Sequence, residues 1–381
     1  MGDVLLERAT AWRRHLHANP ELSRHEGETA RFVCGQLDAL GIPYAANVGG
    51  HGVVATLRRG ASNRAVGLRA DMDALPIEEA TNLPYASRRP GVMHACGHDG
   101  HTASLLAAAA LLADDKTWSG TVQLVFQPAE EGAGGAQAML ADGLFERFPM
   151  ERIFAYHNWP GLAAGTVAVH AGPVMAAGSR LEIRLDGRAG HAAMPHRTRD
   201  PIVAAGHLIA ALQSVVSREV DPLDAAVVSI CTIEAGTATN QIPERATLRG
   251  TFRTYRAEVH DGVGESIRRV AEGIGSAFGV GAAVEFSTHV VATVNSGPEA
   301  DLAAAAAEAA GAPLRRDVPP STASEDFGWY LREKPGAFAW IGNGEIAEGR
   351  SLHNPGYDYN DAILPTAARW LAAVAVRALR E

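Results

Sequence analysis

The chain has 381 residues, 47% hydrophobic and 20% charged, with a formal net charge of -9 at pH 7. That length suits two ordinary domains, and the composition fits an ordinary soluble globular protein. The acidic balance, with no basic block, speaks against a nucleic-acid partner.

Residues 4–19 carry apolar side chains at helical spacing and stop at Asn19-Pro20, where the proline disfavours further helix. This stretch lacks an apolar core followed by a cleavage site, so it is read as a helix and not a signal peptide. Residues 28–40 repeat the pattern and end at Gly41, a natural C-cap. Residues 53–58 and 65–70 read as strands, the second running into Asp71-Met72-Asp73. Then comes His94-Ala95-Cys96-Gly97-His98-Asp99-Gly100-His101, three imidazoles, a thiol and a carboxylate separated only by Gly and Ala. Residues 102–115 are Ala/Leu-rich and predict a buried helix. The cluster is therefore expected in a loop before that helix, with Cys96 and His98 on one side of an extended segment. Residues 121–127 form a buried strand that empties into Pro128-Ala129-Glu130-Glu131-Gly132, followed by a small-residue helix to about residue 142. Residues 152–156 are a further strand, ending on His157-Asn158. Three successive strands thus finish on potential ligands, which places a site at the carboxyl edge of an α/β sheet.

From residue 179 the rhythm changes. Strands at 180–186, 225–233, 246–254 and 282–290 alternate with helices at 199–219 and 257–277. The order β-α-β-β-α-β is that of a ferredoxin-like unit, complete in itself and hence an insertion. The chain then resumes with an Ala-rich helix at 299–310, a loop holding Ser324-Glu325-Asp326-Phe327, a strand near 338–341, Ser351-Leu352-His353-Asn354 and a last helix at 363–379. Three scattered cysteines, Cys34, Cys96 and Cys231, build no disulfide framework and point to a reducing, cytoplasmic setting. No apolar run of about 18 residues occurs, so no membrane span is expected.

A hydrolytic metal site needs a few ligands, an open coordination position and a base beside the attacking water. Imidazole, carboxylate and thiolate together favour Zn, Mn, Co or Ni over Mg or Ca. Glu130 and Glu131, adjacent on a bent loop, suit divided labour, one binding metal and the other facing the water. They equally suit a helix N-terminus, where acidic residues complement the macrodipole. Asp71 and Asp73 are either ligands or groups that orient a ligand histidine. His353, far along the chain, is marked by little besides its residue type. A rival chemistry makes Cys96 a nucleophile with His98 as its base. Two residues of spacing is short for that pair, and it leaves Glu131, His157 and His353 without a role.

The set RADMDALPI, MHACGHDGHTA, QPAEEG, GHAAMPH, NQIPE and SLHNP, in that order along nearly the whole chain, resembles the metal-dependent N-acyl-amino-acid amidohydrolases. These are the hippurate hydrolase and auxin-conjugate hydrolase subgroup of the aminoacylase-1/carboxypeptidase G2 superfamily. The resemblance implies an α/β, zinc-peptidase-like catalytic domain with a central mixed sheet flanked by helices, over residues 1–175 and 293–381. It also implies a ferredoxin-like lid and dimerisation domain inserted at 176–292. Cys96, His98, Glu131, His157 and His353 would bind two divalent transition-metal ions, Cys96 bridging them. Glu130 would be the general base, and Asp73 would orient a metal-binding side chain. His191 falls where relatives bind the substrate's carbonyl oxygen, reaching the active site of the partner subunit of a homodimer. Asn240 and Arg253 fall where relatives hold the substrate carboxylate. The implied partner is a small-molecule N-acyl amino acid, cleaved to a carboxylic acid and an amino acid. A dipeptidase, a deacetylase of a biosynthetic intermediate and a non-catalytic homologue are the alternatives. Arg188-Ala189 and Gln137 depart from the usual pattern, a glycine and a lysine respectively, and bear on substrate preference more than on chemistry.

Overall fold

A computed structural model describes residues 2–380, with residues 288 and 289 as backbone alone. The chain divides into two units, the first made of residues 1–174, 294–319 and 326–381, the second of 175–293 and 320–325. The short segment 320–325 therefore travels with the second unit, although its sequence lies well past the β-α-β-β-α-β pattern.

The first unit is built on an eight-stranded mixed sheet. Its order is Tyr44–Val48, Gly52–Arg59, Gly120–Gln127, Ala65–Asp71, Arg152–Pro160, Gly336–Gly344, Val167–Ala168, Leu314–Arg315. The Ala65–Asp71 strand is parallel to both its neighbours, Gly120–Gln127 on one side and Arg152–Pro160 on the other. The chain thus leaves this strand, returns beside it, and next appears on its opposite flank. Such a reversal opens a crevice at the carboxyl ends of the strands. Val122, Leu124, Val125 and Phe126 are all fully buried, so this strand is covered on both faces, as its unbroken apolar run requires.

The helix expected at residue 102 begins at His98 and runs as His98–Asp114. The second half of the histidine cluster is therefore the helix's first turn and not an extended loop. Gly97 sets that start, with a left-handed φ of +95° that ends the incoming segment and turns its carbonyl into the first helical acceptor. Nearly every side of this helix is buried, and it lies against the C-terminal helix Leu364–Ala378 and the N-terminal helix Asp3–Ala18. His157 lies inside its strand and not just beyond it, because the strand continues to Pro160. The edge strand Tyr44–Val48 and the two-residue strands Val167–Ala168 and Leu314–Arg315 escape sequence reasoning, being too short or too exposed to show a period.

The second unit has a four-stranded antiparallel sheet ordered Ala226–Ala235, Arg245–Thr254, Ala177–Asp186, Gly281–Val290. Helices Pro201–Ser214 and Ala257–Phe278 pack on it, as a β-α-β-β-α-β unit requires. Leu181, Ile183 and Leu185 face the helices while Arg180 and Arg184 point to solvent, a period of two. Asp200 caps the first helix by accepting from the Ile202 and Val203 amides. The span Pro201–Glu219 is long and apolar enough to cross a membrane, with a mean hydropathy of 1.2. The lack of an unbroken apolar run therefore does not exclude a spanning helix. Its Ala204, Ala205, Leu208 and Leu212 are fully buried in the core of this unit.

Candidate metal centre

Cys96, His98 and His157 bring a thiol and two imidazoles together, with one donor atom from each within 4.8 Å of the others. Cys96, Glu131 and His353 do the same. Both groups contain Cys96, so its sulfur stands where two cations would share a ligand. Cys96 Sγ lies 3.3 Å from His157 Nε2, and Glu131 Oε1 lies 3.3 Å from His353 Nε2.

The candidate ligands are held by specific contacts. His98 Nδ1 faces the Asp73 main-chain oxygen at 2.9 Å and Asp73 Oδ1 at 3.2 Å. Donating there leaves its Nε2 pointing inward, fully buried and without a hydrogen-bond partner. His157 Nδ1 lies 2.6 Å from the Asn158 carbonyl oxygen, which again reserves Nε2 for the site. His353 is exposed and has a left-handed φ of +60°, yet its amide donates to the Ala95 carbonyl at 2.8 Å. That bond ties the late loop beside Cys96. Asp73 also accepts the Glu131 amide through Oδ2 at 3.0 Å and the Ser23 hydroxyl at 2.6 Å. Both Asp73 carboxylate oxygens are thus engaged, Oδ1 at His98 and Oδ2 at Ser23 and Glu131. Asp71 is likewise committed, with Oδ1 receiving His101 Nδ1 and Oδ2 receiving Arg69, both at 2.6 Å. Asp71, His98 and His101 also come within 4.8 Å of one another, but the Asp71 oxygens are taken by these bonds.

The loop with Glu130 and Glu131 is not a helix N-terminus, since the next helix, Gly135–Ala141, starts only after Gly134. Its closure needs a glycine at 135, where a Cβ would lie 1.7 Å from the Pro128 carbonyl oxygen. Glu130 lies outside both Cys96 groups while remaining within 4.8 Å of His98 and Glu131 donor atoms.

The electrostatics ask for cations. Burial alone would depress the His98 imidazolium, but the charges of Asp71, Asp73 and Glu131 outweigh it and push the group up to about 10. Burial, with Glu131, Glu130 and Asp71 nearby, holds the Cys96 thiol well above its usual range. Burial and the neighbouring His101 keep His157 neutral. A pocket with surplus negative charge, an orphaned imidazole nitrogen and a Glu131 oxygen lacking a hydrogen-bond donor fits divalent metal. The same facts disfavour the cysteine nucleophile, since burial and the nearby carboxylates oppose the thiolate and the imidazole hydrogen-bonded to the sulfur is that of His157.

Sequence reasoning missed the supports. His101 Nε2 accepts the Asn158 amide at 3.0 Å, and Asn158 Nδ2 donates to the Cys96 carbonyl at 2.7 Å. Arg69, Gln127 and Asp326 form a buried cluster behind Asp71. The second unit pairs His191 with Gln241 on a neighbouring two-residue strand, and Asn240, in the turn just before that strand, accepts from the Ala192 amide through its carbonyl at 3.0 Å. His191 and Asn240 are both exposed. Arg253 is half-buried and bonds the Ser324 hydroxyl within the same unit.

Paired donor groups sharing one thiol, with a carboxylate standing beside them, are the make of a metal-dependent hydrolase. The chain belongs to the peptidase family M20/M25/M40, matching it over residues 67–377. It is 42% identical to a hippurate hydrolase of Campylobacter jejuni, over 97% of this chain and 96% of that one. It is 40% identical to an N-acetylcysteine deacetylase of Bacillus subtilis, over 96% and 95%. Among solved structures, the Bacillus subtilis YXEP protein, described as a dinuclear metal binding peptidase, superposes with a TM-score of 0.88. It is 37% identical, with 100% of this chain and 99% of that one covered.

Proposed function

We propose that this protein is a metal-dependent amidohydrolase that cleaves N-acyl amino acids to a carboxylic acid and a free amino acid. The observation that carries the reading is the sharing of Cys96 by two donor groups, with Glu130 beside them and in neither. Cys96, His98 and His157 would hold one divalent ion, and Cys96, Glu131 and His353 would hold the other. When bound, the ions lower the proton affinity of a water and polarise the scissile carbonyl. Glu130 takes the proton of the attacking water and passes it to the leaving amine nitrogen. Asp73 fixes the His98 ring through Nδ1 and the Glu131 backbone through its other oxygen, so both donors stay aimed as charge moves.

The finer reading extends to the second unit. Residues 176–292 act as a lid and dimerisation domain, His191 contacts the carbonyl oxygen across a homodimer, and Asn240 and Arg253 receive the substrate carboxylate. The exposure of His191 and Asn240, and their adjacency, support this role. The three free cysteines support a cytoplasmic setting. The test is a hydrolysis screen of N-acetyl, N-benzoyl and indole-acetyl amino acids with metal-stripped protein, with Zn, Mn, Co or Ni added back. Metal-restored cleavage of at least one class is expected. Hydrolysis that persists in chelator, or none with any metal, contradicts the reading.

A further inference from the structure

Ahead of the catalytic residues lies a segment that the mechanism does not use, residues 21–26. Its contacts converge on the loop that bears Glu130 and Glu131. Glu26 is fully buried, and its Oε1 accepts two main-chain amides, Arg24 at 2.9 Å and Ala129 at 2.8 Å. Arg24 sends its guanidinium to the Ala133 carbonyl at 2.6 Å. Ser23 donates to Asp73 Oδ2, the oxygen that also accepts the Glu131 amide. The Glu21 carbonyl accepts from Ala74 at 2.8 Å, which fastens the segment beside Asp73.

Ala129 is the residue that turns the chain out of its strand toward Glu130. It has a left-handed φ of +56°, unfavourable for a residue with a Cβ. Nothing in Pro128-Ala129-Glu130 prefers that shape by composition. Two bonds hold it, Ala129 N–H to Glu26 and the Ala129 carbonyl to Gly135 N–H at 2.9 Å. We infer that Glu26 is a positioning residue, whose buried carboxylate holds the Ala129 amide and thereby the left-handed turn that presents Glu130 to the attacking water. The catalytic part of this inference rests on the amidohydrolase reading, whereas the hold on the turn does not.

The experiment pairs kinetics with amide hydrogen exchange in metal-loaded protein. Glu26→Ala should raise exchange at the Ala129 amide by roughly 10–100-fold, the loss of a hydrogen bond that leaves a buried donor unpaired. It should lower kcat about 10²-fold with KM little changed, since the base is displaced and substrate contacts are not. Glu26→Gln keeps an acceptor oxygen and should hold both values within about threefold of the parent. Adding Ala129→Gly to Glu26→Ala removes the Cβ that makes the turn costly and should recover part of kcat. Glu26→Asp, which withdraws the oxygen by one methylene, serves if the alanine variant fails to fold, and should show the same losses in milder form. Unchanged exchange at Ala129 in the alanine or aspartate variant overturns the inference, as does a glutamine variant as slow as alanine with its exchange protection intact. If exchange responds as stated but the parent cleaves no N-acyl amino acid, the hold on the turn stands and the amidohydrolase reading falls.

Discussion

Replacing Gly97 by alanine tests how tightly the thiol is held. Gly97 has φ +95°, and a Cβ there would lie 2.3 Å from Asn158 Nδ2 and 2.6 Å from the Tyr357 hydroxyl. The left-handed backbone costs an alanine about 1–2 kcal/mol. The fully buried Asn158 amide must also move, and it donates to the Cys96 carbonyl at 2.7 Å and accepts from Tyr357 at 2.5 Å. Leaving buried partners of this kind unpaired costs about 1–3 kcal/mol. A destabilisation of about 2–5 kcal/mol follows, which for a unit of this size lowers Tm by roughly 4–20 °C. Thermal melts of metal-loaded and metal-stripped protein measure it, and the loaded form should lose more because Cys96 shifts with its carbonyl. In Gly97→Ala with Asn158→Ala the clash with the amide is gone and only that with the Tyr357 hydroxyl remains, so the double variant should be more stable than the sum of the single losses implies. A Gly97→Ala protein that melts within about 2 °C of the parent and retains its metal would refute the reasoning.

Cys96→Ser should weaken metal affinity, since a hydroxyl replaces a thiolate shared by both donor groups; full stoichiometry after dialysis against chelator would contradict this. His17 supplies a pH dependence away from the ligands. Burial opposes its charge, but bonds to Asp99 at 2.8 Å and Glu79 at 3.2 Å prevail and raise it from 6.5 to about 9. A folded pKa above the unfolded one means the stabilisation is complete below about pH 6.5 and is lost as pH rises through 9, on the order of 3 kcal/mol. Tm measured from pH 6 to 9.5 should fall more for the parent than for His17→Gln; parallel curves would dismiss the linkage. For His191, mixing inactive His191→Ala with inactive Glu130→Gln under subunit exchange should return part of the activity, because a mixed dimer holds one intact site. Mixed dimers that form and stay inactive would place His191 in its own subunit's site or outside catalysis.

What could be read from the chain before folding was residue type at strand ends. HACGHDGH, the Glu130-Glu131 pair and His157 announce themselves because imidazole, thiol and carboxylate rarely cluster on buried strands for packing reasons. The helix start at His98 was misplaced because its first turn is polar toward the site, and apolar periodicity begins only beyond it. A left-handed Gly97 carried the information, but one glycine among several does not show which of them turns the chain. His353 was faint for a related reason, since its place depends on a main-chain bond to Ala95 across most of the sequence. The roles of Glu26, His101 and Asn158 are not legible in the sequence, because their partners are backbone groups or supporting side chains distant along the chain. Periodicity reveals which face is buried, not which buried polar atom meets which amide.

The most direct measurement is metal content and turnover of Glu130→Gln beside Glu131→Gln, both reconstituted to saturation and then dialysed. Glu130 lies outside the two Cys96 groups and Glu131 belongs to one of them. The expected result is two ions per chain in Glu130→Gln with turnover reduced about 10²–10⁴-fold, and loss of an ion in Glu131→Gln. Loss of metal from Glu130→Gln with Glu131→Gln fully loaded would reverse the two roles. Turnover in Glu130→Gln at the parent rate would contradict the account.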